Sequence, residues 1–586
     1  MNDELDISQL ENTISRYRQT VNSLIIAAAV VAAASIAFCI MVAYPLIWVL
    51  LTVIPLLSIA LWLSVKIRKL KPVLQVRRDW GCKEVTRDRD FTTIRYLCDF
   101  VSKGENSSRF IDDQTWKDLN LDSLFTRIDR TYTDPGSAVL YRILREPLFD
   151  KEELAERTRI IRFFQQNRPA RERVQVRLAR LGRQFVSNDI FTLLWRDSYP
   201  SGRKRWLFNG LAAMALASLF LPLIFWSWAL LAAPVAMFLV NLFVHYSTRR
   251  QKDLEIISFP YLINCIKAAG DLFASGEVEI QSDTQKLKEL YKASRSVIKK
   301  ARFLIPVNTG AGDPTAGLFL DYINIFFLLE VRAFFNTSYE LSRHALELRE
   351  LYLMLGKLDA LQSVACYRAS LPVYTEPEFN SSGLHLEMRD ARQPLLDDPV
   401  PSSITINKNV VIITGSNMGG KSTFLRTVGT NVLLAQTIVT PSAAFYRGSF
   451  YRIITSISRT DDLIAGKSFY FVEAERILRA IRSLDGAMAT LCIIDELLSG
   501  TNSTERLQAS ESIIRYLSGR NTLAVVATHD LELAGRLNGI CDFYHFSGSV
   551  DENGLRFDYR LKPGIANSRN AIALLKYLGY PGEITR

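Results

Sequence analysis

Between Gln19 and Val65 the chain runs for 47 residues without an Asp, Glu, Lys or Arg, and between Trp206 and Thr248 it does so again for 43. One bilayer crossing takes about 20 apolar residues, so each run has room for two helices and a turn. The turns are expected near Tyr44-Pro45, where proline interrupts the first run, and between Pro222 and Trp228 in the second. Four membrane passes are the natural count. A cleavable signal peptide fits poorly, because the first run is too long and no small-residue cleavage site interrupts it. The alternative is a pair of apolar helical hairpins buried in a globular core.

Flanking charge sets the orientation. Arg16 and Arg18 precede the first hairpin and Lys66, Arg68, Lys69 and Lys71 follow it, while Arg203-Lys204-Arg205 and Arg249-Arg250-Lys252 bracket the second. Positive residues stay on the cytoplasmic side. Both hairpins then start and end in the cytoplasm, which makes the chain a multi-pass protein of the cell membrane with residues 66–205 and 249–586 on the inner side. Trp48, Trp62, Trp206, Trp226 and Trp228 near the run ends suit an aromatic interface belt, although some can simply pack. Seven scattered cysteines without C-x-x-C spacing argue against a disulfide framework and a zinc site, and fit a reducing compartment.

The chemistry is concentrated at the other end. Val410-Val411-Ile412-Ile413 reads as a buried strand and leads into Gly415-Ser416-Asn417-Met418-Gly419-Gly420-Lys421-Ser422-Thr423, followed by helix-compatible sequence. This is the strand–loop–helix of a P-loop, which binds a nucleoside triphosphate. Glycines let the loop turn its N–H groups onto phosphates, Lys421 reaches the β and γ oxygens, and Ser422 can ligate Mg2+ at the positive end of the helix. ATP and Mg2+ are the expected ligands.

Two further strands are predicted to converge on that loop. Thr490 to Ile494 is apolar and ends in Asp495-Glu496, placed as a metal-shell carboxylate beside an acid that polarises the attacking water. Thr522 to Thr528 delivers His529 and Asp530 at its end, where ligands of open α/β sheets gather and an imidazole can sense the γ-phosphate. The expected catalytic set is therefore Glu496, Lys421 and His529, with Ser422 and Asp495 as metal ligands.

Asp461-Asp462-Leu463-Ile464-Ala465-Gly466-Lys467-Ser468-Phe469-Tyr470-Phe471-Val472-Glu473 and Leu497-Leu498-Ser499-Gly500-Thr501-Asn502-Ser503 lie between these elements. Taken with Gly415–Thr423 and Ala527-Thr528-His529-Asp530, they resemble the ATPase domain of the MutS family, the DNA mismatch-repair clamps related to ABC-type ATPases. The likeness is collinear from about residue 385 onward. It takes in Ala391-Arg392-Gln393-Pro394-Leu395, Leu561-Lys562-Pro563-Gly564 and Gly579-Tyr580-Pro581. Leu121-Asp122-Ser123-Leu124-Phe125 through Pro147-Leu148, and Leu351–Ala365, resemble that family's helical core and lever.

The resemblance implies a homodimer in which Ser468 completes the partner's nucleotide site, with duplex DNA as partner. Phe469, Tyr470 and Phe471 depart from the threonine and methionine usual after that serine, and Ser468 also suits a helix N-cap. No counterpart of the mismatch-reading domain is evident. The Phe-x-Glu at Phe471-Val472-Glu473 falls inside the ATPase segment, where packing and site assembly are expected. The chain's end at Arg586 leaves little room for an appended dimerisation element.

A formal net charge of +11, with a dense basic stretch at Arg168, Arg171, Arg173, Arg177, Arg180 and Arg183 and another from Lys286 to Arg302, permits DNA contact. Juxtamembrane basic segments equally bind anionic lipid head groups, and a solvated helix face is a third option.

The expected layout is an N-terminal segment 1–20, hairpin one at 21–65, a helical core at 66–205, hairpin two at 206–248, a helical lever at 249–375 and an α/β P-loop domain of ABC type at 376–586. Asp542–Phe546 and Arg556–Leu561, around the turn Asp551-Glu552-Asn553-Gly554, are predicted to pair as an antiparallel hairpin. Two functions remain open: a membrane-anchored MutS-like ATPase acting on DNA, or an ATPase driving membrane or protein partners without DNA.

Overall fold

The computed structural model describes residues 6–42, 47–85, 87, 89–102, 110–183, 189–195, 202–273, 281–301, 314–380, 383–415, 419–457, 469–482, 484, 488–498, 502–551, 554–566, 580, 581 and 583. Helices fill the first two-thirds, and a layered α/β unit follows.

The two charge-free runs form the helices Ile7–Val42, Ile47–Asp79, Gly202–Phe225 and Ala232–Phe273. Four stretches within them are long and apolar enough to cross a membrane by length and composition: Ile7–Phe38, Leu51–Asp79, Lys204–Phe225 and Trp228–Arg250. In the apolar 18-residue window of each stretch only 11–22% is buried inside the chain. The second turn falls as predicted, with Trp226 at φ 46° and Trp226 and Trp228 both exposed. The first turn, Tyr44-Pro45, lies outside the described residues.

The bounds expected at 65/66 and 248/249 fall inside helices. The second helix of hairpin one runs through to Asp79, and that of hairpin two through to Phe273. Arg77 there pairs with Glu172 at 2.8 Å, and Arg171 stacks on Trp80 at 3.5 Å. Next to them Cys366 Sγ of the helix Ala345–Ser370 donates to Asp79 O at 3.2 Å. The apolar helices are thus continuous with the helical core.

The lever expected around Leu351–Ala365 is the longer helix Ala345–Ser370, buried along most of its length. It is held by Asp359, whose fully buried carboxylate accepts from the backbone N–H of Tyr132 and Thr133, the Thr133 hydroxyl and Gln362 Nε2. Thr133 also caps the helix Asp134–Arg145 through Gly136 N. Each helix meets the other at a glycine: a Cβ on Gly136 would lie 2.2 Å from Asp359 Oδ2, and one on Gly356 would lie 2.5 Å from Val139 Cγ2 and 2.6 Å from Pro135 O.

The α/β unit contains β1 (Glu378–Phe379), β2 (Leu386–Ala391), β3 (Ser402–Ile406), β4 (Val410–Thr414), β5 (Phe445–Gly448), β6 (Arg452–Ser456), β7 (Thr490–Asp495), β8 (Thr522–Ala527), β9 (Asp542–His545), β10 (Gly548–Asp551), β11 (Gly554–Phe557) and β12 (Lys562–Pro563). Its main sheet has the order β12-β9-β4-β8-β7-β6, with β12 antiparallel to β9 and the other pairings parallel. Strand β4 is buried at every position, as an apolar strand covered on both faces must be. A second sheet, β1-β5-β2-β3, lies beside it.

One pairing differs from expectation. The turn at Asp551–Gly554 does close a hairpin, but its arms are β10 and β11, whereas Asp542–His545 is a parallel strand beside β4. Short apolar and aromatic runs such as Asp542–Phe546 suit either setting, so the sequence could not separate a hairpin arm from a strand of the parallel sheet.

Polar contacts join the two halves. Buried Asp118 accepts from Thr455 Oγ1 at 2.8 Å and Ile457 N at 2.9 Å, at the carboxyl end of β6. Arg368, in the last turn of the lever helix and also buried, donates to Thr440 Oγ1 at 2.8 Å and to Val439 O at 2.5 Å. Arg157 donates to Thr437 O, and burial pulls its guanidinium pKa down to about 10.

The glycine contact makes a direct prediction. Gly136→Ala drives a methyl into the Asp359 carboxylate and is expected to lower stability by about 1–3 kcal/mol, read as a drop in the thermal unfolding midpoint. An unchanged midpoint would show that the two helices can part without cost.

Candidate nucleotide site

Strand β4 ends at Gly415, whose φ of 131° and whose missing Cβ are both required: a Cβ there would meet Phe546 O at 2.5 Å. Ser416, Asn417 and Met418 lie outside the described residues. The chain resumes at Gly419 and at Gly420, φ 102°, and the helix Lys421–Thr437 starts directly behind. Lys421 is buried, and its Nζ donates to Gly415 O at 2.5 Å, across the mouth of the loop. One turn of helix therefore presents a lysine, a serine hydroxyl and its first N–H groups at its positive end.

The parallel sheet brings the other predicted groups to the same edge. Ser422 Oγ donates to Asp495 Oδ2, so the hydroxyl at the helix start and the carboxylate at the end of β7 are in direct contact. Glu496 follows with φ 63° while its N–H still donates to Ala527 O of β8 at 3.0 Å, and Leu498 sits at φ 54°. A left-handed conformation in a residue other than glycine costs of order 1–3 kcal/mol. Here it occurs twice beside the acid pair, where the neighbouring strand fixes the backbone.

Glu496 is largely buried. Its Oε1 lies 3.0 Å from Nδ1 of half-exposed His529, which leaves the end of β8. Asp530 next to it turns away, capping the helix Leu531–Arg536 and facing Arg506 at 3.5 Å. The structure thus brings Ser422, next to Lys421, against Asp495, and Glu496 against His529. Ser468 lies outside the described residues, immediately before the helix Phe469–Arg482.

The donors fit a hard divalent cation with a polyphosphate: hydroxyl and carboxylate oxygens side by side, a buried ammonium and a helix N-terminus. Among the described residues no group of three or more His, Cys, Asp and Glu forms a self-sufficient metal site.

The sequence did not point to Tyr559. This residue has φ 53° and is half exposed, with its ring edge 3.4 Å from where a Cβ on Gly420 would stand. It is brought there by the chain leaving β11, and Asp558 is tied to Lys562 at 2.6 Å just beside it. A flat aromatic at the rim of a phosphate loop can stack on a nucleobase. A finer reading of the Asp551–Gly554 turn would have carried Tyr559 back to the loop.

Two other expectations change. Within the first basic stretch Arg171 turns inward onto Trp80, where burial lowers its pKa to about 10; Arg183 pairs with buried Asp129 at 3.1 Å, and Arg168 pairs with Glu172 at 2.9 Å. Arg173 and Arg180 remain exposed, so this stretch offers a thinner basic face than its sequence suggests. The second stretch does keep an outward basic side, with Lys286, Lys292, Arg295, Lys299 and Lys300 exposed on the helix Gln281–Lys300. Phe471, expected to pack, is half exposed, while Glu473 of the same triplet is buried.

A parallel sheet with a glycine loop at the end of β4, and an acid pair at the end of β7 on the far side of β8, is the arrangement of a P-loop nucleotide-binding domain. Residues 411–586 match the family description MutS domain V, and residues 109–365 match MutS domain III. Over 268 residues the chain is 28% identical to DNA mismatch repair protein MutS 2 of Halobacterium salinarum, which takes in 44% of this chain and 30% of that protein. It is 30% identical over 249 residues to DNA mismatch repair protein MutS of Thermus thermophilus, covering 41% and 30% respectively. With the same-named protein of Thermus caldophilus the identity is 31% over 244 residues. The chain belongs to the MutS family. The matched part spans under a third of the length of these curated relatives.

Gly415→Ala is expected to abolish nucleotide binding, because a Cβ must displace Phe546 and the loop together. Binding of a fluorescent ATP analogue checks this, and retained affinity would mean that the loop has room the geometry denies it.

Proposed function

We propose that this chain is a membrane-anchored MutS-like ATPase that couples ATP turnover in a homodimer to movement of its helical lever, with duplex DNA as the partner. The observation that carries the reading is the meeting of Ser422 with Asp495, and of Glu496 with His529, at one edge of the sheet. The same unit is bonded to the lever through Arg368 and to the helical core through Asp118.

In this mechanism Lys421 and the first N–H groups of its helix stabilise the charge that develops on the transferred phosphoryl group. Ser422 and Asp495 would hold Mg2+, which supplies neutralisation of phosphate charge when bound. Glu496 orients the attacking water and accepts its proton. His529 keeps the Glu496 carboxylate in position and responds to the γ-phosphate. Ser468 serves the partner's site, and Phe471, exposed on the helix just beyond it, is available to the second copy. Tyr559 stacks on the base. In the same proposal the four apolar helices cross the cell membrane and residues 376–586 face the cytoplasm.

DNA enters through the relatives, whose names assign them to mismatch repair. A second reading has the lever acting on membrane or protein partners without DNA. The inward turn of Arg171 and Arg183 favours it, since those side chains cannot neutralise phosphates.

ATP hydrolysis by the nanodisc-embedded chain, with and without duplex, mismatched and branched DNA, separates the two. Stimulation by DNA at low salt supports the first reading; turnover indifferent to every DNA removes it in favour of the second. Glu496→Gln is expected to reduce turnover by about 10²–10⁴-fold while ATP still binds, and undiminished turnover would take Glu496 out of the mechanism. Tyr559→Ala should raise KM for ATP several-fold and change kcat less. An equal KM would leave the ring without a role in binding.

A further inference from the structure

Beside the second hairpin lies a helix that the charge-free runs do not include, Pro314–Phe327, and it carries Asp321 as its one charged residue. At about 1.5 Å per residue its 14 residues extend about 21 Å, short of the roughly 30 Å needed to cross a bilayer. We propose that this helix is embedded in the cytoplasmic leaflet, as a lipid-contacting element that enters from the lever side without crossing. The proposal rests on the membrane reading of the hairpins given above.

The depth follows from what the helix touches. Asn241 is buried in the stretch Trp228–Arg250, and its Nδ2 donates to Phe326 O at 2.6 Å. Asn241 stands nine residues inward of Arg250, about 13 Å along the helix. Phe238, deeper by almost one turn, packs against both Tyr322 and Phe326, with ring centroids 6.1 and 6.5 Å apart. The carboxyl end of the short helix therefore sits well inside the apolar zone.

The next helix, Leu329–Arg343, gives an independent measure. Arg205, in the charged flank of hairpin two, lies over Tyr339 at 4.0 Å. Further into the apolar run, Phe208 stacks on Phe335 at 4.7 Å and Asn209 accepts from Arg332 Nε at 2.9 Å. From Tyr339 back to Arg332, each contact lies further along Gly202–Phe225, away from its positive flank. The short helix joins this one through Leu328, whose φ of 50° turns the chain between them.

The polarity of the surfaces agrees. Asn241 and His245 are buried, while Leu239, Phe243 and Tyr322 around them face outward. Polar groups turned to protein and apolar groups turned out is the arrangement of a lipid-facing bundle. Glu330 reaches back to His245 at 3.9 Å and Arg249 at 4.0 Å, at the level where the hairpin's positive flank begins. The occupant of this surface is the acyl-chain region of the bilayer.

The test replaces Tyr322 with a diazirine-bearing amino acid in the full-length chain, reconstituted in phosphatidylcholine–phosphatidylglycerol vesicles and irradiated. The same residue is placed at exposed Leu223 in the hairpin and at exposed Leu346 on the lever helix. Mass spectrometry of the protein then counts lipid adducts. Adducts at positions 322 and 223, several-fold above position 346, are the expected result. Adducts at 223 without adducts at 322 overturn the leaflet helix and leave the hairpins in the membrane. Cross-linking of 322 to a second copy of the chain overturns it in favour of a dimer contact. Absence of lipid at 223 as well removes the membrane reading on which the proposal stands.

Discussion

A carboxylate with no water around it, Asp359, fixes how the helical part is assembled. Burial pushes its pKa up, and hydrogen bonds from the Thr133 hydroxyl, the Tyr132 and Thr133 N–H groups and Gln362 act against that rise. Leaving such a group without partners costs about 1–3 kcal/mol or more, so the lever helix and the start of Asp134–Arg145 are held in one register. Gly136 and Gly356 follow from the same constraint, since the bonds require the backbones to approach closely. The buried pair Asp129 and Arg183, with Arg89, extends the polar seam on the adjoining turn.

That register is relayed to the nucleotide site by few atoms. Asp118 holds the outgoing end of β6, and the segment after β6 leads toward Ser468. Arg368 grips the loop behind the helix that begins with Lys421. A change at the phosphate loop thus has two bonded routes into the helices, one through each end of the helical part. Both are charge-assisted bonds in buried surroundings, where such contacts are strong and directional.

The nucleotide site was legible because its chemistry is local. A strand, a glycine loop and a helix start lie within fifteen residues of one another, and Asp495-Glu496 and His529 each sit at the end of an apolar run. The apolar helices were legible for the same reason, since charge-free length needs no knowledge of contacts. What escaped depends on distant packing. Helix ends at Asp79 and Phe273 run past the change in polarity because the lever and the helix Arg168–Leu181 cover them. Arg171 and Arg183 look like surface charges until Trp80 and Asp129 are seen beside them. Tyr559 reaches the loop only through the fold of β10 and β11, and the short helix Pro314–Phe327 is too brief to stand out by length.

The unbroken helix Ala232–Phe273 is a rod of 42 residues, about 63 Å long. It carries Pro260 within its length, yet no loop or glycine joint lies between its apolar half and the half packed on the lever. For a rod of that length, a tilt of about 5° at one end swings the other by about 5 Å. A small rotation at the end packed among the other helices would therefore arrive at the apolar end magnified, with gearing set by length.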